Sequence, residues 1–236
     1  MNKFIILLVF FVSQPFVNTD QTISFDHSLF NELLQKHVSS KGKVDYKGFQ
    51  SDRLKLNNYI KSLGENVPSD SWAKEEKLAF WINAYNALTI DLILRNPLVK
   101  SIKDIDDPWD QKLWKLGDKW YDLNEIEHKI LRKMDEPRIH FAIVCASISC
   151  PKLQNSAFIG SKLDIQLADS TKEFLNDPLK NRLSINKLEL SKIFKWFSQD
   201  FKQGHSLIDF LNKYSDIEIS QKASISYKDY DWNLNE

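Results

Sequence analysis

Residues 75–95 read Glu-Glu-Lys-Leu-Ala-Phe-Trp-Ile-Asn-Ala-Tyr-Asn-Ala-Leu-Thr-Ile-Asp-Leu-Ile-Leu-Arg, and this stretch restricts the fold more than any other. Leu78, Trp81, Ile82, Tyr85, Leu88 and Leu92 fall on one helical stripe, and Ala79, Ile90 and Ile93 carry the apolar surface round the other side. A helix apolar nearly all round must be wrapped by the rest of the chain. Asn83 and Asn86, three apart on one face, are carried inside with it. Buried amides need hydrogen-bond partners. Either the two tie down neighbouring loops, or they serve a site, Asn86 orienting a catalytic group and Asn83 holding a substrate carbonyl. Asn96-Pro97 ends the helix.

The segments that wrap it are short. Residues 26–38 show helical spacing, 43–49 read as a connection, and 52–63 as a second helix. Two aromatic runs around Gly117-Asp118 predict a hairpin over 113–123, and 181–190 suggests another. Asn124, with Glu127 three residues on, resembles a capping box opening a helix over 125–133. Further helices are expected over 163–175, 191–201 with Ser191 as cap, and 206–214, and a closing strand over 223–232. The expected class is α+β: a single mixed domain over 20–236, helices packed around small, mostly antiparallel sheets, with the 75–95 helix buried at the centre.

The first residues differ. Asn2-Lys3 precedes nine apolar residues (4–12) and then Ser13-Gln14-Pro15, which reads as a secretory signal peptide over 1–19. Nine is short of the roughly 20 residues that span a bilayer. A secreted or periplasmic protein is expected, with no stable membrane insertion after cleavage. Thirty-two basic side chains balance 32 acidic ones, which removes the electrostatic argument for nucleic acid.

The chemistry gathers in Arg138-Ile-His-Phe-Ala-Ile-Val-Cys-Ala-Ser-Ile-Ser-Cys-Pro151, which holds the only two cysteines. As a buried strand over 138–145, it puts Cys145 on one face and His140 on the other. His128, on the preceding helix, is then the better partner for Cys145, and its place in a first helical turn disfavours the imidazolium. Three chemistries compete. Cys145 and Cys150 can form a disulfide, structural or redox-active. Cys145 and His128 can form a thiol hydrolase or acyl-transferase centre, with Glu127 or Asn86 as orienter and amides of residues 146–149 as an oxyanion site. His128, His140, Cys145 and Cys150 suit zinc by type, but no second pair at ligand spacing exists, so neither metal nor cofactor is expected. Arg132 and Arg138 can bind a carboxylate or pair with acids such as Glu127 or Asp91. Trp109, Trp114 and Trp120 can line a groove or belong to the core, and His27, His37 and His205 read as surface residues. The expected partner is a small-molecule or peptide ligand.

Six stretches carry a resemblance: Val44-Asp-Tyr46, Lys77-Leu-Ala-Phe-Trp-Ile-Asn-Ala-Tyr-Asn-Ala87, Leu123-Asn-Glu-Ile-Glu-His-Lys-Ile-Leu-Arg132, Pro137 to Pro151, Leu190-Ser-Lys-Ile-Phe-Lys-Trp196 and Tyr230-Asp-Trp232. In this order they resemble the family known as domain of unknown function 547. In that family the first cysteine is usually followed by Gly-Ala, where this chain has Ala146-Ser147. The resemblance implies a shared fold and supplies no activity.

Overall fold

The computed structural model describes residues 24–236, so the expected leader over 1–19 lies outside the described residues. Helices α1 (Ser28–His37), α2 (Tyr46–Ser51) and α3 (Arg53–Glu65) lead into α4 (Lys74–Arg95). Every residue of α4 from 78 to 94 is buried, as its all-round apolar surface demands. It packs against α2, α3, the turn over 125–130 and the later helix α5 (Leu163–Asn176). The one charge in this buried run, Asp91, is fully buried and compensated. It accepts hydrogen bonds from Arg53 at 2.8 Å, Arg95 at 2.6 Å and the Trp114 indole N–H at 2.8 Å.

Strands β1 (Trp114–Leu116) and β2 (Lys119–Tyr121) form the expected antiparallel hairpin, with Leu116 opposite Lys119. Gly117 makes its turn at φ +60°, a conformation that glycine adopts without penalty. The C-terminal half holds α5, β3 (Arg182–Leu183), β4 (Lys187–Leu190), α6 (Ile193–Trp196), α7 (Ser198–Lys202), α8 (Leu207–Asn212) and β5 (Ser224–Tyr227). Its sheet has the order β3-β4-β5, antiparallel then parallel. A second core of Phe141, Phe174, Phe194, Phe201 and Phe210 lies beneath it. The class is α+β, with α4 central. Among the described residues no helix is long and apolar enough to cross a membrane.

Several local expectations are overturned. Residues 138–145 are not a strand. Pro137–Phe141 is a 3-10 turn, started by proline at its first position and by Glu136, whose carboxylate accepts from the Arg138 N–H at 3.1 Å. A short buried apolar run fits strand or turn equally well by composition, and here the backbone partners decide. Ala142 N and Ile143 N both donate back to Ile139 O, at 2.9 and 3.0 Å, so no ladder forms. Asn124 is not a cap. It is already helical, and Asp122 caps the segment by accepting from Glu125 N at 2.7 Å. In place of one regular helix, the chain makes a π-helical turn, Glu125–Ile130, and then a 3-10 turn, Leu131–Met134. The connection over 43–49 contains α2, capped by Asp45. The closing strand stops at Tyr227, and the 191–201 helix is broken into α6 and α7. His27 and His37 are buried, bonded to Tyr59 at 2.6 Å and Asp52 at 2.8 Å.

Candidate functional site

The backbone after the Pro137–Phe141 turn is irregular, and α4 holds it in place. Asn86 donates from Nδ2 to Ala142 O at 2.9 Å and accepts at Oδ1 from Val144 N at 2.9 Å. Asn83 clamps Phe158 in the same way, at 2.8 and 3.0 Å. Each amide uses both ends on one loop, which satisfies backbone groups that burial would otherwise strand. The two asparagines are therefore loop anchors, and neither lines the cleft that opens on the cysteine loop.

Beyond Val144 the chain reverses through Ala146 at φ +56°, left-handed and strained for a residue with a Cβ. This reversal brings Cys145 and Cys150 together in a disulfide, their Cα atoms 6.1 Å apart, so neither cysteine is free. The Cys145 N–H donates to Cys150 Sγ at 2.8 Å. Cys145 Sγ also lies 3.3 Å from the Tyr230 hydroxyl and 3.4 Å from that of Ser147. Neither sulfur is hydrogen-bonded to His128 or His140. Two of the amides considered for an oxyanion are occupied: Ile148 N donates to Asn233 O at 2.8 Å and Ser149 N to Asp231 O at 3.1 Å.

The cleft has a volume of about 250 Å³. Glu127, His128, His140, Cys145 and Cys150 all line it, with Tyr85 behind Glu127. The absence of a strand thus places His140 and Cys145 on one cavity, where alternation had separated them. Trp109, Trp196, Phe197, Tyr230 and Trp232 form an aromatic wall. Trp196 stacks on Trp232 with ring centres 5.9 Å apart, and Tyr230 lies 4.8 Å from Trp196 and 4.6 Å from Trp232. Of Trp109, Trp114 and Trp120, only Trp109 reaches the cleft. Trp114 is core and Trp120 is exposed at the hairpin.

Asp200 of α7 organises the charged side. It accepts from Arg132 Nε at 2.6 Å and Nη2 at 2.9 Å, and lies 2.8 Å from His140 Nε2. Arg132 Nη1 is 3.1 Å from His128 Nδ1, so the i, i+4 pair does meet, but the acid that Arg132 holds is Asp200. Arg138 turns away to Glu136 and Asp164. The His140 ring stacks on Phe197, centres 3.9 Å apart. Burial, then the Arg132 charge, pull His128 below its usual range. Burial likewise lowers His140, outweighing its bond to Asp200. Burial would raise Asp200, but the bonds from His140 and Arg132 outweigh it and hold the carboxylate low. Glu127 moves the other way: burial pushes it up to about 7, although Tyr85 donates to Oε2 at 3.2 Å. Among the described residues no three His, Cys, Asp or Glu side chains are grouped to hold a metal.

Sequence patterns do not single out Asp200, Phe197 or Trp196 as site residues. They lie more than 40 residues beyond the cysteine loop, on and between two short helices that no local periodicity links to it. No curated protein and no solved structure matches the chain. The family model described as "Protein of unknown function, DUF547" matches residues 69–175, which take in α4, the hairpin, the disulfide loop and most of α5. Through this region the chain matches the DUF547 family of proteins of unknown function.

Proposed function

We propose that this protein is an extracytoplasmic thiol–disulfide module that acts on a small-molecule or peptide ligand held in the aromatic cleft. The observation that carries the proposal is the position of the Cys145–Cys150 bond on the cleft wall, with a backbone N–H aimed at Cys150 Sγ. Cys145 is the more exposed of the two. A ligand thiolate attacks Cys145 Sγ, the S–S bond breaks, and its electron pair leaves on Cys150 Sγ. The Cys145 N–H stabilises that thiolate until it is protonated. Glu127 and His128 line the same cleft and are the groups placed to give the proton. A second ligand thiol then attacks the ligand sulfur bound to Cys145, that mixed disulfide breaks, and its electron pair leaves on Cys145 Sγ, which takes up the proton the attacking thiol gives up. The ligand dithiol leaves as a disulfide, and the protein keeps two thiols.

One observation favours a second role in the reduced state. His140 carries Asp200 on Nε2 and lines the cleft with Cys145, so a freed Cys145 thiol would share the cavity with an oriented imidazole. Those are the parts of a thiol hydrolase or acyl-transferase.

The test is equilibration of the native protein in graded mixtures of reduced and oxidised glutathione, with thiols then trapped and weighed by mass spectrometry. The Cys145–Cys150 bond should open while the fold stays intact. Cys150→Ser should trap glutathione on Cys145 faster than Cys145→Ser traps it on Cys150. A bond that opens only when the protein unfolds would overturn the redox proposal. Ester hydrolysis that appears on reduction and vanishes in Cys145→Ser would support the second role.

A further inference from the structure

We infer that the cleft takes a compact organic cation, an alkylammonium or quaternary ammonium group, seated against the faces of Trp109, Trp196, Tyr230 and Trp232 with Glu127 as its counter-charge. This rests on the cleft being a ligand site, and not on exchange at the disulfide. Three observations converge on it. First, four electron-rich rings line one cavity of about 250 Å³, a volume below the roughly 300–1,000 Å³ of drug-sized pockets and suited to a small headgroup. One of these rings already attracts a cation: the Lys103 ammonium, which does not line the cleft, lies 4.9 Å from the Trp232 centroid.

Second, Glu127 is a buried carboxyl on this cavity without a cationic partner of its own among the described residues. The groups that face it are Tyr85, His128, Arg132, Asp200 and Tyr230. Tyr85 gives one hydrogen bond. His128 Nδ1 is 4.0 Å away, and burial and Arg132 favour its neutral form. Arg132 is committed to Asp200 through two hydrogen bonds. Third, the same pairing leaves no free guanidinium or ammonium among the described cleft residues to receive an anion, since Arg132 is neutralised and both imidazoles are pushed toward neutrality. A carboxylate or phosphate would meet the Glu127 carboxylate with no cationic side chain lining the cavity to offset it.

The experiment is a tryptophan-fluorescence titration of the oxidised protein with choline and with its uncharged carbon isostere, 3,3-dimethyl-1-butanol. Choline should bind saturably and roughly tenfold tighter than the isostere, the size expected for a partly desolvated cation on aromatic rings. Its affinity should rise between pH 6 and pH 8 as Glu127 ionises. Glu127→Gln should flatten that profile and weaken choline while leaving the isostere unchanged, and Trp232→Phe should weaken choline by a smaller factor. Equal binding of the two compounds, or a folded Glu127→Gln protein that binds choline as well as the parent, would overturn the inference, and so would the absence of any choline binding. The titration never opens the disulfide. Failure of glutathione exchange therefore leaves its result standing, and failure of choline binding leaves the exchange result standing.

Discussion

At the scale of single residues, two side chains sit where chemistry resists them. Ala146 occupies the left-handed region that costs a residue with a Cβ about 1–2 kcal/mol. Glycine gives back part of that gain through unfolded-state entropy, about 0.5–1 kcal/mol. Ala146→Gly should therefore stabilise the protein by about 0.5 kcal/mol, where the same change in a helix destabilises; chemical denaturation would show it as a higher midpoint at unchanged slope. Glu127 is the second case. Its carboxyl is raised to about 7 in the fold against an ordinary value of 4.5, so the folded protein binds the extra proton between these two pH values. Stability from this group is greatest below pH 4.5, falls as pH rises through 7 and is flat above. Glu127→Gln cancels the histidine and aspartate contributions that the two proteins share. The variant should gain on the parent between pH 5 and pH 8, by up to about 3 kcal/mol for a shift of this size; paired melting curves at those two pH values measure it, and a constant difference would refute the burial argument.

At the scale of elements, α4 does two jobs from one surface. Its apolar faces fill the core, and its polar residues fasten what surrounds it: Asn83 and Asn86 hold loops, while Asp91 holds α3, its own last turn and β1. Asn86→Ala would leave Ala142 O and Val144 N unpaired in the interior and should cost about 2–4 kcal/mol. Asp91→Ala should cost at least as much, about 3–5 kcal/mol, because two guanidinium groups and an indole N–H lose one shared acceptor. Thermal melting of each variant checks both. This helix is legible in the sequence because a long run of period 3.6 outvotes any local irregularity. The cysteine segment is less legible for the opposite reason. Phe141, Ala142, Ile143 and Val144 are buried as a strand would bury them, but their partners are an asparagine from α4 and their own preceding turn. Apolar composition reports burial and not the direction of backbone hydrogen bonds. The capping box at Asn124 fails similarly, since Asp122 two residues earlier offers a better acceptor. The cysteines, His128, His140 and Glu127 are found from residue type alone. Asp200 and the rings of α6 and residues 230–232 are not, because only tertiary packing brings them to His140 and the cavity, Tyr230 lying against the second core and Trp232 against the first.

At the scale of the whole molecule, the cleft lies where the two cores meet. Phe141 belongs to the second core, while its neighbours Ile139 and Ala142 belong to the first. The disulfide closes a small ring at that junction, and so short a ring constrains the unfolded chain only modestly. Replacing both cysteines by serine should lower stability by about 2 kcal/mol, measurable by denaturant titration, and should leave the secondary-structure signal unchanged. A far larger loss would mean that the bond holds the two cores in register.

Residues 230–235 fasten that junction from outside. Asn235 bridges Val44 and Ala146, Leu234 reaches Lys100, and residues 231 and 233 hold the amides of 148 and 149. A ribosome makes these residues some eighty positions after the cysteines. For that interval the nascent chain has both sulfurs and α4 but not the segment that covers them. The order of synthesis separates making the cysteine pair from making the segment that encloses it.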